Sequence, residues 1–291
     1  MKPLLTTIII LAACGSNKPY EGDTELLAHL QKAQAERMSE ALTYVDENGW
    51  IVGSDCDGMI PSAKFGVFHE GFNPYAAEYP NEPGRFNRSP SMCREGDERS
   101  RSTWSGDMGV CGLVPYAWLT GDRQILESHI SYVLKNDGHS GEPRSLDITF
   151  YSPQLVGLVF SVIHKLGGAD VAARHVPPVY VAGLTDYRAH LQMCDIFVRS
   201  ELKWQSPEMS LIDVTDRQLA RIEEHAAREP HNPFYQYMFG LYTGNFEPAI
   251  ELCLDPSYPV GDYVRCDEPR ACQLAESTWS CGLLIRHLER G

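Results

Sequence analysis

The chain has 291 residues, enough for one large domain or two small ones, and its hydrophobic fraction of 43% supports a sizeable core. A formal net charge of -14 argues against general binding to nucleic acid, where Lys and Arg must neutralise phosphates, and against adsorption to an anionic lipid surface through charge.

The N-terminus carries the clearest motif. Met1-Lys2 gives a short positive start, and Leu4 to Ala13 form an apolar run. That run is too short for a bilayer span, which needs about 20 residues. It ends in Leu11-Ala12-Ala13-Cys14, followed by Gly15-Ser16. This resembles the lipobox of bacterial lipoprotein signal peptides, with small residues before the cleavage point. The resemblance implies removal of residues 1–13, acylation of Cys14 and a tether over residues 14–22. Each buried acyl CH₂ contributes about 0.8 kcal/mol to anchoring. The implied address is the bacterial cell envelope, with Gly15 after the Cys leaning toward the outer membrane.

Nine cysteines are present, and setting Cys14 aside leaves an even number: Cys56, Cys93, Cys111, Cys194, Cys253, Cys266, Cys272 and Cys281. Export permits disulfides, but eight cysteines allow 105 pairings. Local spacing suggests Cys56 with Cys93 across a long loop and Cys266 with Cys272 across a short one. Cys111 and Cys194 fall on apolar helix faces, where a buried thiol is as reasonable as a disulfide. No Cys-x-x-Cys occurs, so no zinc site is expected. No cofactor is expected either.

Residues 24 to 45 show helical spacing of Leu26, Leu27, Leu30, Met38, Ala41, Leu42 and Val45. From Ile51 to Gly106 the periodicity is lost among Gly, Pro, Ser, Asn and Asp. A loop of this length in a compact domain is usually functional or disordered, and its aromatics, Cys and Arg argue for function. Ser105 caps the next expected helix, whose apolar stripe is Met108, Cys111, Val114 and Trp118. Gly121 stops it, and Asp122 caps a helix burying Ile125, Leu126, Ile130 and Val133. A second loop covers about 138 to 151. Pro153 opens a helix to about Leu166, and another runs from about 184 to 203. Thr215-Asp216-Arg217-Gln218 is a capping box for a helix to about Arg228. Pro233 opens a helix ending at Gly244, Asn245 restarts one to about Leu254, and a loop over 256–270 precedes the last.

Strand signals are scarce, so an all-α domain over residues 23–291 is expected. The turns Trp118-Leu119-Thr120-Gly121-Asp122 and Leu241-Tyr242-Thr243-Gly244-Asn245 repeat one pattern, with Leu166-Gly167-Gly168-Ala169-Asp170 a looser copy. Short connections make paired helices antiparallel neighbours. If short turns alternate with long connectors, the loops 51–106, 138–151 and 256–270 share one face. Helical hairpins with such Leu-Thr-Gly-Asp turns resemble the α/α toroids, the six-hairpin glycosidase-like folds. The resemblance covers residues 105 to 285 and implies glycan binding at the long-loop ends of a helical-hairpin array, here short of six complete hairpins. Asp55-Cys56-Asp57-Gly58, Gly84-Arg85-Phe86-Asn87-Arg88 and Ser102-Thr103-Trp104-Ser105-Gly106-Asp107-Met108 resemble an uncharacterised bacterial and phage family, with no reaction attached.

On that face Asp107 is the first candidate for acid–base work, although Asp in a first helical turn also suits the helix dipole. Asp55 and Asp57 supply the second carboxylate that glycoside hydrolysis needs, or simply form a turn. Arg85, Arg88 and Arg101, with Arg94 and Arg99, are suited to acidic groups on a glycan, or to ion pairs with Glu95, Asp97 and Glu98. Trp104 and Trp279 are candidates to stack on sugar rings, though Trp279 sits at core spacing. Asp147 and His139 lie in the second loop, and Tyr151 there is a candidate base for a lyase. His129, on an apolar helix face, reads as a satisfied core histidine. Nucleophile-elbow, zincin, Walker and dinucleotide motifs are absent. Two functions stay open: an envelope protein that binds or cleaves a glycan as hydrolase or lyase, and a non-catalytic lipoprotein, phage-related in the alternative, that binds an envelope protein or polymer.

Overall fold

The computed structural model describes residues 24–52, 58–90, 108–140, 151, 153–168, 186–205, 216–261 and 268–290. These residues form a mainly helical protein with no strand among them, apart from the isolated bridges Val45 to Ile51 and Glu78 to Phe86. The expected all-α class is therefore observed.

Among the described residues ten α-helices follow in order: α1 (Thr24–Ala41), α2 (Met59–Gly66), α3 (Val114–Thr120), α4 (Arg123–Lys135), α5 (Pro153–Lys165), α6 (Asp186–Gln205), α7 (Asp216–Arg228), α8 (Pro233–Thr243), α9 (Glu247–Leu254) and α10 (Pro269–Arg290). A π-helical turn, Met108–Leu113, runs directly into α3. Helix α2 corrects the expectation of an unbroken loop over 51–106. All eight of its residues are buried. A helix covered on every side has no polar stripe, so the amphipathic period that reveals surface helices is missing.

The repeated turns behave as their chemistry requires. Gly121 and Gly244 adopt φ of 81° and 77°, and their N–H groups donate to Ala117 O and Gly240 O. Asp122 caps α4 by accepting from Ile125 N. These hairpin turns gather at one end of the molecule. Arg123 Nη1 donates to Gly167 O at 2.7 Å, tying the first turn to the third. Trp118 Nε1 donates to Glu201 Oε2, and Tyr242 Oη hydrogen-bonds Ser200 Oγ, so the first and second turns meet consecutive residues of α6.

Helix α10 is buried on almost every side between Ala271 and Leu288. Helices α1, α2, α8 and α9 all pack on it. It runs antiparallel to α1, with Arg270 paired to Glu40 at one end and Gln31 Nε2 donating to Glu289 at the other. His287, near its C-terminus, stacks on Phe246 just beyond the Gly244 turn, with ring centroids 4.6 Å apart. The start of α1 and the finish of α10 thus lie at the short-turn end. Trp279 is 1% exposed and packs against Phe197 and Phe68, so it is a core residue and not a sugar platform.

Among the described residues two cysteine pairs are at disulfide distance, Cys111–Cys194 and Cys253–Cys281. The first resolves the open choice at Cys111 and Cys194 against free thiols; the second pairing carried no local signal. Cys272 is disulfide-bonded as well. The suggested partners Cys266, Cys56 and Cys93 lie outside the described residues, as do Cys14, Ser105 and Thr215. Among the described residues no helix is long and apolar enough to cross a membrane.

Candidate functional site

The described ends of the long connectors converge opposite the short turns. Met59 N donates to Arg88 O, and Tyr151 N donates to Gly138 O, both at 2.8 Å. A Cβ added to Gly109 would lie 2.4 Å from the Tyr151 hydroxyl oxygen, so only glycine admits that ring here. Gly112 packs on Met59 and Ile60. The segments that follow Asp57 and Asp107 in the chain are therefore neighbours.

The centre of this floor is a buried relay. Gly84, at φ 87°, turns the chain so that its carbonyl accepts from His129 Nδ1 at 2.7 Å. With Nδ1 donating, Nε2 is the acceptor, and the Tyr151 hydroxyl donates to it at 2.8 Å. That tautomer follows from the hydrogen-bond network. Burial pushes His129 down to about 4, against the opposing bond to Gly84, so the imidazole is neutral. This matches the satisfied core histidine expected from the sequence. Tyr151 is 1% exposed. Its hydroxyl props the base of the face and, in this arrangement, does not meet solvent.

Arg85 is also structural. Its Nη1 pairs with Glu82 at 2.7 Å and its guanidinium lies 3.9 Å from the centre of the Tyr79 ring. It is buried, so it fastens the turn before Gly84–Arg88 and is not presented to a substrate carboxylate. Arg88 is half-buried beside it. The remaining candidates, Asp55, Asp57, Asp107, Arg101, Trp104 and Asp147, lie outside the described residues.

Sequence reasoning missed a second group at the same end. A narrow cleft of about 20 Å³, room for one water, is lined by His190, Asn232, Phe234, Gly261, Glu276 and Ser280. Val260 and Gly261 bring in the third long connector, 256–270, so all three connectors contribute to this end. Asn232 caps α8 through Phe234 N and Tyr235 N, and its Nδ2 donates to Glu229. Lys64 reaches Glu276 at 2.7 Å with its side chain 1% exposed. His190 is buried, and burial followed by the nearby Lys64 charge holds it well below the usual histidine range. Its Nε2 lies 3.9 Å from Cys194 Sγ. The one available sequence signal was the four-residue spacing of His190 and Cys194, which places both on one helix face. Lys64 and Glu276 gave none, since a buried ion pair across distant segments has no local pattern.

Comparison of the chain with models of known protein families, with curated proteins and with solved structures finds no match.

Proposed function

We propose that the protein is a lipid-anchored component of the bacterial cell envelope, held through Cys14, with a helical-hairpin array of α/α-toroid type that binds an envelope glycan on its long-loop face. The observation that carries this reading is the convergence of Met59, Gly84–Arg88, Gly109 and Tyr151 at the end opposite the short turns. Loops held on a rigid scaffold are where binding groups concentrate. The buried Gly84–His129–Tyr151 relay supplies that rigidity. Trp104 stacks on sugar, and Arg88 and Arg101 meet acidic substituents.

Cleavage is a second reading. It is favoured by the packing of Gly112 on Met59 and Ile60, which brings together the segments that follow Asp57 and Asp107 in the chain. Asp107 with Asp55 or Asp57 would serve as acid and base. The binding of an envelope protein by the same face is the non-catalytic alternative.

The test incubates the chain beginning after Cys14 with peptidoglycan, alginate, pectin and capsular polysaccharide. Retention on an immobilised glycan, lost in Trp104→Ala, supports binding. New reducing ends or unsaturated products, absent with Asp107→Asn, support cleavage. No retention on any polymer sinks the glycan reading and leaves capture of an envelope protein. Radiolabelled palmitate, incorporated by the full chain and not by Cys14→Ser, tests the anchor.

A further inference from the structure

Cys111 and Cys194 are 0% and 2% exposed, and His190 stands beside both. One ligand atom from each of the three lies within 4.8 Å of the others, the only such group of metal-binding side chains among the described residues. We propose that Cys111, Cys194 and His190 form a site for a thiophilic cation, Zn²⁺ or Cu⁺, that becomes available when the Cys111–Cys194 disulfide is reduced.

Three observations carry this beyond a list of ligand types. First, the ligands come from two rigid elements. His190 and Cys194 are four residues apart on α6, and Cys111 sits in the π-helical turn. A π-turn interrupts regular helix pairing and often marks a functional position. Second, the three side chains match a known donor set. Two thiolates and one imidazole leave a fourth tetrahedral position for water or another ligand. Third, His190 also lines the cleft beside Asn232 and Glu276, which gives the imidazole an approach from outside. The neighbouring Lys64 charge is matched by Glu276 at 2.7 Å, so it presents no uncompensated cation to the site.

The chemistry balances in two steps. A dithiol reductant attacks the disulfide; its own two thiols become a disulfide, and Cys111 and Cys194 become thiols. The cation then displaces two protons, one from each sulfur, and binds both thiolates and the His190 imidazole. Oxidation reverses the sequence and expels the metal.

The experiment uses the full chain, reduced with a phosphine that is then removed, and titrated with Co²⁺ as a spectroscopic stand-in for zinc. The expected result is one cobalt-binding equivalent with sulfur-to-metal charge-transfer absorption that Cys111→Ser and Cys194→Ser abolish. Cys253→Ala/Cys281→Ala retains it. His190→Gln keeps both sulfurs, and its affinity falls by at least the roughly 10–100-fold that loss of an outer-sphere partner costs. Equal cobalt binding by the native chain and the Cys111→Ser variant overturns the proposal. So does loss of the helical circular-dichroism signal on reduction that metal does not restore.

Discussion

Lys64 and Glu276 are 212 positions apart and meet inside the core, with Nζ 2.7 Å from Oε2 and 2.9 Å from Oε1. The pair joins α2, the helix without a polar stripe, to α10, the helix on which α1, α8 and α9 also pack. Removing one partner strands a buried charge. Glu276→Ala should cost about 3–5 kcal/mol, whereas the double change Lys64→Met/Glu276→Leu should recover most of that loss. Urea unfolding of the three proteins checks this; equal losses in the single and double variants would argue against a desolvated pair.

Acid should weaken the fold through its buried histidines. His129 takes a proton only near pH 4 when folded, against about 6.5 in an unfolded chain. Between those values the unfolded state binds more protons. Stability is therefore full above about pH 6.5, falls as pH drops, and levels off below about pH 4, with roughly 3 kcal/mol from this residue. Burial pushes His190, His225 and His287 in the same direction. Thermal melts from pH 4 to pH 8 should show the decline, and His129→Gln should flatten part of it. A melting temperature indifferent to pH in that range would contradict the buried neutral imidazoles.

Two glycines with nearly the same backbone angle should respond differently to alanine. Gly121 has φ 81° and nothing within 4 Å of an added Cβ. Gly121→Ala should cost only the left-handed penalty, about 1–2 kcal/mol. Gly84 has φ 87°, and an added Cβ would lie 2.2 Å from Ser128 O. Gly84→Ala should therefore lose clearly more and should also move the carbonyl that accepts from His129. Denaturation midpoints report the first effect. The second appears as a fall in the His129 titration midpoint by NMR, since the bond to Gly84 is what opposes burial there.

The disulfides should differ in worth with the chain they close. Cys253 and Cys281 are 28 positions apart, and Cys111 and Cys194 are 83 apart. On the chain-entropy view, removal should cost about 3.5 kcal/mol for the shorter loop and about 4.5 for the longer. Cys253→Ala/Cys281→Ala and Cys111→Ala/Cys194→Ala, unfolded in guanidinium, give the comparison. A larger loss at the shorter loop would mean that local packing, such as Arg37 Nη2 donating to Cys253 O at 2.7 Å, outweighs loop closure.

Helix positions were legible wherever a helix keeps one wet face. Helix α4 shows its buried Ile125, Leu126, Ile130 and Val133 at regular spacing, with Asp122 and Gly121 marking its start and its predecessor's stop. Connector length carried information too, since antiparallel hairpins leave their short turns at one end. Helix α2 was hidden because every side of it is covered. The role of Arg85 was hidden for a different reason. A guanidinium suited to a ligand carboxylate is equally suited to Glu82, and only the fold decides between them. Cys111 with Cys194 illustrates the remaining gap: apolar neighbours reveal burial, while pairing depends on how α6 meets the π-turn. For Asp55, Asp57, Asp107, Arg101, Trp104 and Asp147 the sequence supplies chemistry and neighbours.

The antiparallel course of α1 and α10 fixes which way the molecule would stand. Gln31 meets Glu289, and His287 meets Phe246, so the polypeptide enters α1 beside the tight turns and away from Tyr151 and the His190 cleft. With the anchor at Cys14 proposed above, a stalk ahead of Thr24 would therefore act as a base, with the proposed glycan-binding face as the crown. Material held on a wall or on another cell would reach that crown without passing between the protein and its own support, and lengthening the stalk would change reach without changing orientation.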